Sequence, residues 1–253
     1  VEEGTETAIS YRHTYSYEGT EDKTLVAEFV EKDYPIMTRF YVTDLNQQNR
    51  YLGSVSYTAG DNTETLFTCA TQEELPFTEY KKLHTPQVEG AVIDKTENPI
   101  RLEEGVENFS MNFKQYNEDI TYNNGYRDIV CEPEIVWSYQ TLYIDWNSDK
   151  EFSGENEIYA AVGNNSGDNT FDDPDGNVTE GWDRTITVPA ETAPGTYRMR
   201  VVYMGPDPWS SDWPSKVFTE FYNEIRNGIA YDFEIAISPA SGIEGVASGK
   251  VYY

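Results

Sequence analysis

The chain has 253 residues, and its 45 Asp and Glu residues against 18 Lys and Arg residues give a formal net charge of -27. This charge repels phosphate backbones and anionic membrane surfaces, so we expect no nucleic-acid partner. No run approaches the roughly 20 apolar residues that a membrane helix needs, so we also expect no insertion into a membrane. Hydrophobic residues make up 38% of the chain and aromatic residues 14%, which predicts a packed domain, expected to be monomeric, and not an acidic disordered tail.

Short segments in which apolar and polar residues alternate dominate the chain and predict an all-β fold. In the first half this pattern covers residues 25–30, 39–45, 51–58 and 63–71. Turn-forming clusters of Gly, Asn, Asp and Pro separate the segments, as in an antiparallel meander.

Two longer segments in the second half, residues 197–203 and 231–237, alternate in the same way. Their apolar residues would bury one face of a sheet. Their polar residues, which include Arg200 and Asp232, would occupy the other face. The pattern indicates mostly antiparallel sheets with one side packed on a core.

The stretch 85–105 contains Pro, Gly and charged residues, a composition typical of a connection between domains. We place a boundary near residue 104 and predict two tandem β-sandwich-like domains, 1–104 and 105–253. At most one short helix is predicted, near residues 217–227, where aromatic and aliphatic residues fall at helical spacing before an Asn-Gly stop signal.

Two cysteines, Cys69 and Cys131, are too few for a disulfide scaffold. They form either a bridge between the two halves or two buried thiols, and the sequence leaves both alternatives open. Because the chain begins at Val1 and not at Met, we expect a mature protein whose export signal has been removed, with room for a lipid anchor upstream of Val1.

A calcium loop is predicted after residue 144, where side-chain oxygens recur at every second position. Calcium takes roughly six to eight oxygen ligands, and a curling chain offers alternate side chains followed by a backbone carbonyl. Lys150 stands where the helix-loop-helix calcium motif has a glycine, so the site differs from that motif. The alternative is a solvated acidic turn. The predicted ligands are Asp145, Asn147, Asp149, the carbonyl of Glu151, and either Glu155 or Glu157.

A second group of acidic residues, Asp168, Asp172, Asp173 and Asp175, precedes Gly176. It either holds a second ion or is an exposed hairpin loop, since Asp-Gly and Asp-Pro pairs are ordinary turn sequences.

Three blocks, residues 142–149, 186–190 and 193–201, resemble the GEVED domain in sequence and order, and the resemblance extends over roughly residues 105–240. It implies an all-β module of secreted or surface bacterial proteins, and therefore an extracellular or cell-surface location. The block after which the family is named stands here as Gly-Ile-Ala-Tyr-Asp-Phe from Gly228, without its two glutamates. If that block helps to hold a cation in relatives, Asp232 joins the candidate ligands.

Trp209 and Trp213 lie in a proline-rich segment. They either present a stacking surface to a sugar or fold back over a sheet edge. No nucleophile, zinc or phosphate-loop motif occurs, and we expect no enzyme activity. The expected function is binding or adhesion to a glycan or a surface protein. The alternatives are an accessory or catalytic part of a glycan-degrading system, and a structural spacer.

Overall fold

The computed structural model describes residues 33–40, 50–75, 87–89, 92–123, 125–132, 138–154, 156–165, 168–171, 182–204, 221, 224–225 and 228–240. The chain divides into two compact units, Val1–Tyr34 and Pro35–Tyr253. Every strand and contact described below belongs to the second unit.

The described residues form strands and one short 3-10 turn, Gln72–Glu74, as the alternating sequence predicts. The strands are β1 Thr38–Phe40, β2 Leu52–Ala59, β3 Asn62–Thr68, β4 Gln87–Glu89, β5 Val92–Asp94, β6 Ile100–Glu103, β7 Asn108–Gln115, β8 Ile120–Asn123, β9 Asp128–Cys131, β10 Ser138–Asp145, β11 Ile158–Asn165, β12 Asp168–Phe171, β13 Trp182–Thr187, β14 Gly195–Met204, β15 Glu224–Ile225 and β16 Ile229–Ser238.

Two sheets make up most of the second unit. The larger has seven strands in the order β12-β11-β10-β14-β16-β5, and β6 also pairs with β16. The smaller has four strands in the order β13-β7-β2-β3. A three-stranded sheet, β15-β1-β4, and a hairpin, β8-β9, complete the described strands. Pairing is antiparallel except where β16 meets β5 and β6, and where β1 meets β15.

The two large sheets pack face to face because each carries an apolar set at every second residue. Tyr203 of β14 meets Trp182 of β13 with ring centroids 5.1 Å apart. The backbone N–H of Leu52 donates a hydrogen bond of 3.0 Å to the hydroxyl of Tyr231 across the interface. One core cluster therefore joins strands of both sheets, and the fold is β-sandwich-like.

The predicted all-β class is confirmed, and segments 51–58 and 63–71 largely coincide with β2 and β3. Trp146 and Trp182 are buried at 8% and 2% exposure. The prediction for residues 25–30 lies outside the described residues, as does that for most of 39–45.

Residue 104 is not a break in the sheets. β2, which precedes it, pairs with β7, which follows it, and β6 pairs with β16 across the same position. The described residues on the two sides of residue 104 share one core cluster. The composition of residues 85–105 suggested a domain boundary, but composition carries no information about which distant strands pair.

Within the segment 217–227, for which at most one short helix is predicted, Glu224–Ile225 are not helical and form β15 beside β1. Phe221 is described as neither helix nor strand, and the rest of that segment lies outside the described residues. Cys69 and Cys131 do not form a disulfide; Cys131 is buried and Cys69 is half-buried. None of the described segments is a helix with the length and apolarity that a membrane crossing requires.

Candidate functional site

The candidate site is the loop that joins β10 to β11. β10 ends at Asp145, which is fully buried. Its two carboxylate oxygens accept backbone N–H bonds, Oδ1 from Asp149 at 3.1 Å and Oδ2 from Lys150 at 3.0 Å. Short acidic side chains favour such local bonds to the backbone, and here they fold the loop back onto the end of its own strand.

Two further side-chain oxygens continue the turn. Oδ1 of Asn147 accepts the N–H of Asp149 at 2.8 Å, and Oδ1 of Asp149 accepts the N–H of Glu151 at 2.8 Å. Ser148 and Lys150, which flank Asp149, have left-handed backbone with φ of 58° and 61°. Lys150 thus adopts the conformation that glycine would take most easily at this position.

Glu157 closes the loop from the other end. It is 1% exposed, and its Oε2 accepts the backbone N–H of Gly154 at 2.6 Å. Its Oε1 accepts the N–H of Asn147 at 3.4 Å, and its carbonyl accepts the N–H of Ile144 at 2.9 Å. A Cβ atom added to Gly154 would lie 2.5 Å from the carboxyl carbon of Glu157, so the absence of a side chain at 154 makes room for this carboxylate.

The loop concentrates negative charge in a small volume. Burial raises the pKa of Glu157 above its ordinary value of 4.5, the bonds from Gly154 and Asn147 lower it, and the nearby carboxylates of Asp145 and Asp149 raise it further. Desolvation disfavours the ionised carboxylate, and like charges add to that effect. A cation between these carboxylates would cancel the repulsion of their like charges and would lower the pKa of Glu157.

The loop thus brings most of the predicted ligands together. The side chain of Glu151 accepts a hydrogen bond from Ser153 at 3.3 Å, and Glu155 lies outside the described residues. In the part of the chain that the structure describes, no three or more His, Cys, Asp and Glu side chains are arranged to hold a metal ion. The predicted ligands that hydrogen bonds link within the loop are Asp145, Asn147, Asp149 and Glu157.

Asp232 has a different setting from the loop residues. On β16, its Oδ1 accepts from Nε of Arg200 at 2.7 Å, and its Oδ2 accepts from Arg200 and Arg198 at 2.9 and 3.0 Å. Arg200 in turn pairs with Tyr143 of β10, which puts Asp232 two strands away from the strand that ends in the loop. Two guanidinium groups already balance its charge, so the contacts in the structure give Asp232 the role of an ion-pair partner within the sheet.

An aromatic anchor that the sequence reading missed fixes the loop to the larger sheet. Phe152, inside the acidic loop, is 1% exposed. Its ring centroid lies 5.9 Å from that of Tyr143, 5.3 Å from that of Phe221 and 5.3 Å from the guanidinium carbon of Arg200. The sequence does contain an indication of this anchor, namely a single phenylalanine among acidic residues. A large apolar side chain is unusual in a fully solvated turn.

Most residues of the second acidic group and both tryptophans of the predicted sugar site lie outside the described residues. Asp168 begins β12, whereas Asp172, Asp173 and Asp175 lie outside the described residues. The same holds for Trp209 and Trp213, so the sugar-stacking surface stays a prediction.

A sequence profile of the GEVED domain matches residues 139–235, which confirms the resemblance from β10 to β16, a stretch that includes β13 of the smaller sheet. No curated protein matches the chain. The matched region includes the loop between β10 and β11 and the block that starts at Gly228. There, an added Cβ would lie 2.0 Å from the carbonyl oxygen of Tyr203, so close packing of β16 against β14 accounts for the glycine.

Proposed function

We propose that the chain is a noncatalytic binding module of a secreted or cell-surface protein, with calcium bound in the loop from Asp145 to Glu157. The observation that carries this proposal is that one loop holds the carboxylates of Asp145, Asp149 and Glu157, and that burial together with the other two charges raises the pKa of Glu157. A bound cation would offset the repulsion among these carboxylates. It would also reduce the self-repulsion of a chain with net charge -27.

The donor set suits a hard cation. Calcium prefers carboxylate, amide and carbonyl oxygens at about 2.3–2.6 Å. Asp145, Asn147, Asp149 and Glu157 would supply side-chain oxygens, and Glu151 its backbone carbonyl. The backbone N–H bonds described above already hold oxygens of all four side chains in fixed positions within the loop. The same bonds would orient the oxygens before the ion arrives, which lowers the entropic cost of binding.

A binding role is favoured over catalysis by the setting of Glu157. A carboxyl group with a raised pKa in a cleft is typical of a general acid. Glu157 is buried instead, and its two oxygens accept hydrogen bonds from the backbone of its own loop. The surface location follows from the resemblance to the GEVED domain and is part of the proposal.

Thermal unfolding of metal-stripped protein, with and without millimolar calcium, tests the calcium site. A ligand at 100 times its Kd stabilises the folded state by about 2.7 kcal/mol, which for about 150–250 residues raises Tm by roughly 5–10 °C. The variants Asp149→Ala and Asp145→Asn should lose this rise. Asp183→Asn, an exposed acid on the smaller sheet, should keep it.

Emission from Trp146 offers a second readout, because this residue directly follows Asp145 and its indole N–H donates to Tyr159 at 3.0 Å. Calcium binding should change that emission in the wild type and in Asp183→Asn only. An equal calcium response in all four proteins would place the ion elsewhere, and an unchanged Tm would leave the loop as a solvated acidic turn.

A further inference from the structure

A groove of about 820 Å³ lies at one end of the sandwich. One wall is the turn between β6 and β7, with Val106, and another is the segment after β13, with Val188 and Ala190. Ile158, which starts β11 directly after Glu157, contributes a third. The volume falls within the range of about 300–1,000 Å³ that ligand clefts occupy.

The lining has a distinct chemical character. Its floor is aliphatic, with Val106 and Ile158 half-buried and Ile237 6% exposed. Its rim carries the exposed carboxylates of Glu103 and Glu107. Among the residues that the structure describes, the lining holds no Lys, Arg or His. The groove therefore combines apolar contact area with negative charge.

The geometry points to a short extended segment of a partner protein as the occupant, with Lys or Arg side chains flanking aliphatic ones. Aliphatic side chains would fill the floor, and the cationic groups would face Glu103 and Glu107. Charge complementarity at a rim increases the association rate and selects the partner, while the buried apolar groups provide most of the affinity. The inference rests on the proposed binding role, but not on the calcium site.

Other occupants fit the lining less well. A second copy of the chain would bring another net charge of -27 to an acidic rim, and an anionic glycan would be repelled in the same way. A neutral sugar needs an aromatic face on which to stack. The described lining has one aromatic residue, Tyr159, and its hydroxyl is already bonded to Trp146 and to the carbonyl of Thr187, so this hydroxyl is not available to hydrogen-bond a sugar.

The test measures fluorescence anisotropy of a labelled hexapeptide of alternating lysine and valine, at physiological ionic strength, with the full chain. A matched peptide of alternating glutamate and valine, and a neutral cello-oligosaccharide, are the other two probes. The variant Ala190→Arg fills the groove with a bulky cation at an exposed turn position. Ala70→Arg makes the same charge change at another exposed position, outside the lining.

The lysine-valine peptide should bind the wild type, and Ala190→Arg should weaken that binding by at least about tenfold. The pair Glu103→Gln and Glu107→Gln should weaken it severalfold and reduce its salt dependence. Ala70→Arg should stay within about twofold of the wild type, as should the pair Glu97→Gln and Glu132→Gln. Each variant's Tm is measured to confirm that it folds.

Four results would overturn the inference: no binding of the lysine-valine peptide, equal binding of the glutamate-valine peptide, equal losses in Ala190→Arg and Ala70→Arg, or oligosaccharide binding that Ala190→Arg blocks. The third result would show that bulk charge attracts the peptide. Peptide binding without any calcium-dependent rise in Tm would refute the calcium site and leave the groove assignment standing, so the two failures are distinguishable.

Discussion

The outward faces of the two large sheets differ in character, although the same sequence alternation builds both. On the smaller sheet, Asn112 donates to Asp183 at 2.7 Å in an exposed pair. On the larger sheet, Arg200 and Asp232 also point away from the core, yet they are only 3% and 4% exposed. An outward position in a strand is therefore solvated on one sheet and buried on the other.

The cover over the larger sheet explains the difference. Arg200 donates to the carbonyl of Pro35 as well as to Asp232, and the ring of Phe152 lies over its guanidinium. The acidic loop and Pro35 thus lie on this face. Burying a charge is costly unless a partner of opposite charge accompanies it, and Arg200 with Asp232 meets that condition.

The largest difference between the two faces should appear when each loses its carboxylate. Asp232→Ala leaves Arg200 buried without its counter-charge, and we expect a loss of about 3–5 kcal/mol in the free energy of unfolding. Asp183→Ala leaves an exposed amide that water satisfies, with a change within about 0.5 kcal/mol. Urea unfolding of both variants measures the contrast, and similar losses would show that the cover does not desolvate the ion pair.

Replacing both members of the pair should recover much of that loss. Well-packed apolar residues in place of a buried ion pair are often neutral or stabilising. We expect the double variant Arg200→Met with Asp232→Leu to be less destabilised, by about 2 kcal/mol, than the sum of the two single variants, since contacting residues couple by about 0.5–3 kcal/mol. A double-mutant cycle checks this, and strict additivity would contradict the pairing.

In the acidic loop between β10 and β11, Gly154→Ala should lower the free energy of unfolding by about 1–3 kcal/mol, the usual effect of overpacking. The new methyl group would push against the carboxylate of Glu157, which is buried and hydrogen-bonded. Gly195→Ala is the control, because there the nearest atom would lie at 3.7 Å. Thermal unfolding distinguishes them, and equal Tm values would mean that Glu157 can move aside.

The pH dependence of stability should report the burial of Glu157. Because its folded pKa is raised, its contribution to stability is present below the ordinary value of 4.5 and is lost as pH rises through the folded pKa. In metal-stripped protein, Glu157→Gln should therefore gain stability relative to the wild type between about pH 4 and about pH 7.

Asp94 supplies a control of opposite sign. Hydrogen bonds from the side chain and backbone of Thr96 lower its pKa, so its stabilising contribution is present above the ordinary value and is lost as pH falls through the folded pKa. Asp94→Asn should lose stability relative to the wild type as pH rises from acid toward the ordinary value of 3.8, and the difference should level off above about pH 5. Urea titrations at each pH measure both trends, and parallel trends for the two variants would contradict the assignment.

The inner faces could be predicted from sequence because period-two alternation marks them directly. Tyr231 and Phe233 fall where the pattern predicts, and both are buried. The same pattern assigned Asp232 to the other face correctly, but its burial depends on residues distant in sequence. Pro35 and Phe152 reach that face through the tertiary fold, and no local rule connects either of them with β16.

The loop shows the same division. The spacing of Asp145, Asn147 and Asp149 predicted a turn of alternating oxygens, and the structure contains one. The closing residue was left open between Glu155 and Glu157, because the choice depends on how β11 returns beside β10. The pairing of Tyr143 with Ile158 brings Glu157 back to the end of β10.

Lys150 offers the smallest of the expected effects and the most local one. A non-glycine residue with left-handed backbone is strained by about 1–2 kcal/mol, while glycine costs about 0.5–1 kcal/mol more in the entropy of the unfolded chain. Lys150→Gly should therefore stabilise metal-stripped protein by up to about 1 kcal/mol. Lys150→Ala, which removes the same charge but keeps a Cβ atom, should show no such gain. If both variants gained stability equally, the gain would come from removal of the lysine charge. The left-handed backbone at residue 150, with its φ of 61°, would then not be a source of strain in the loop.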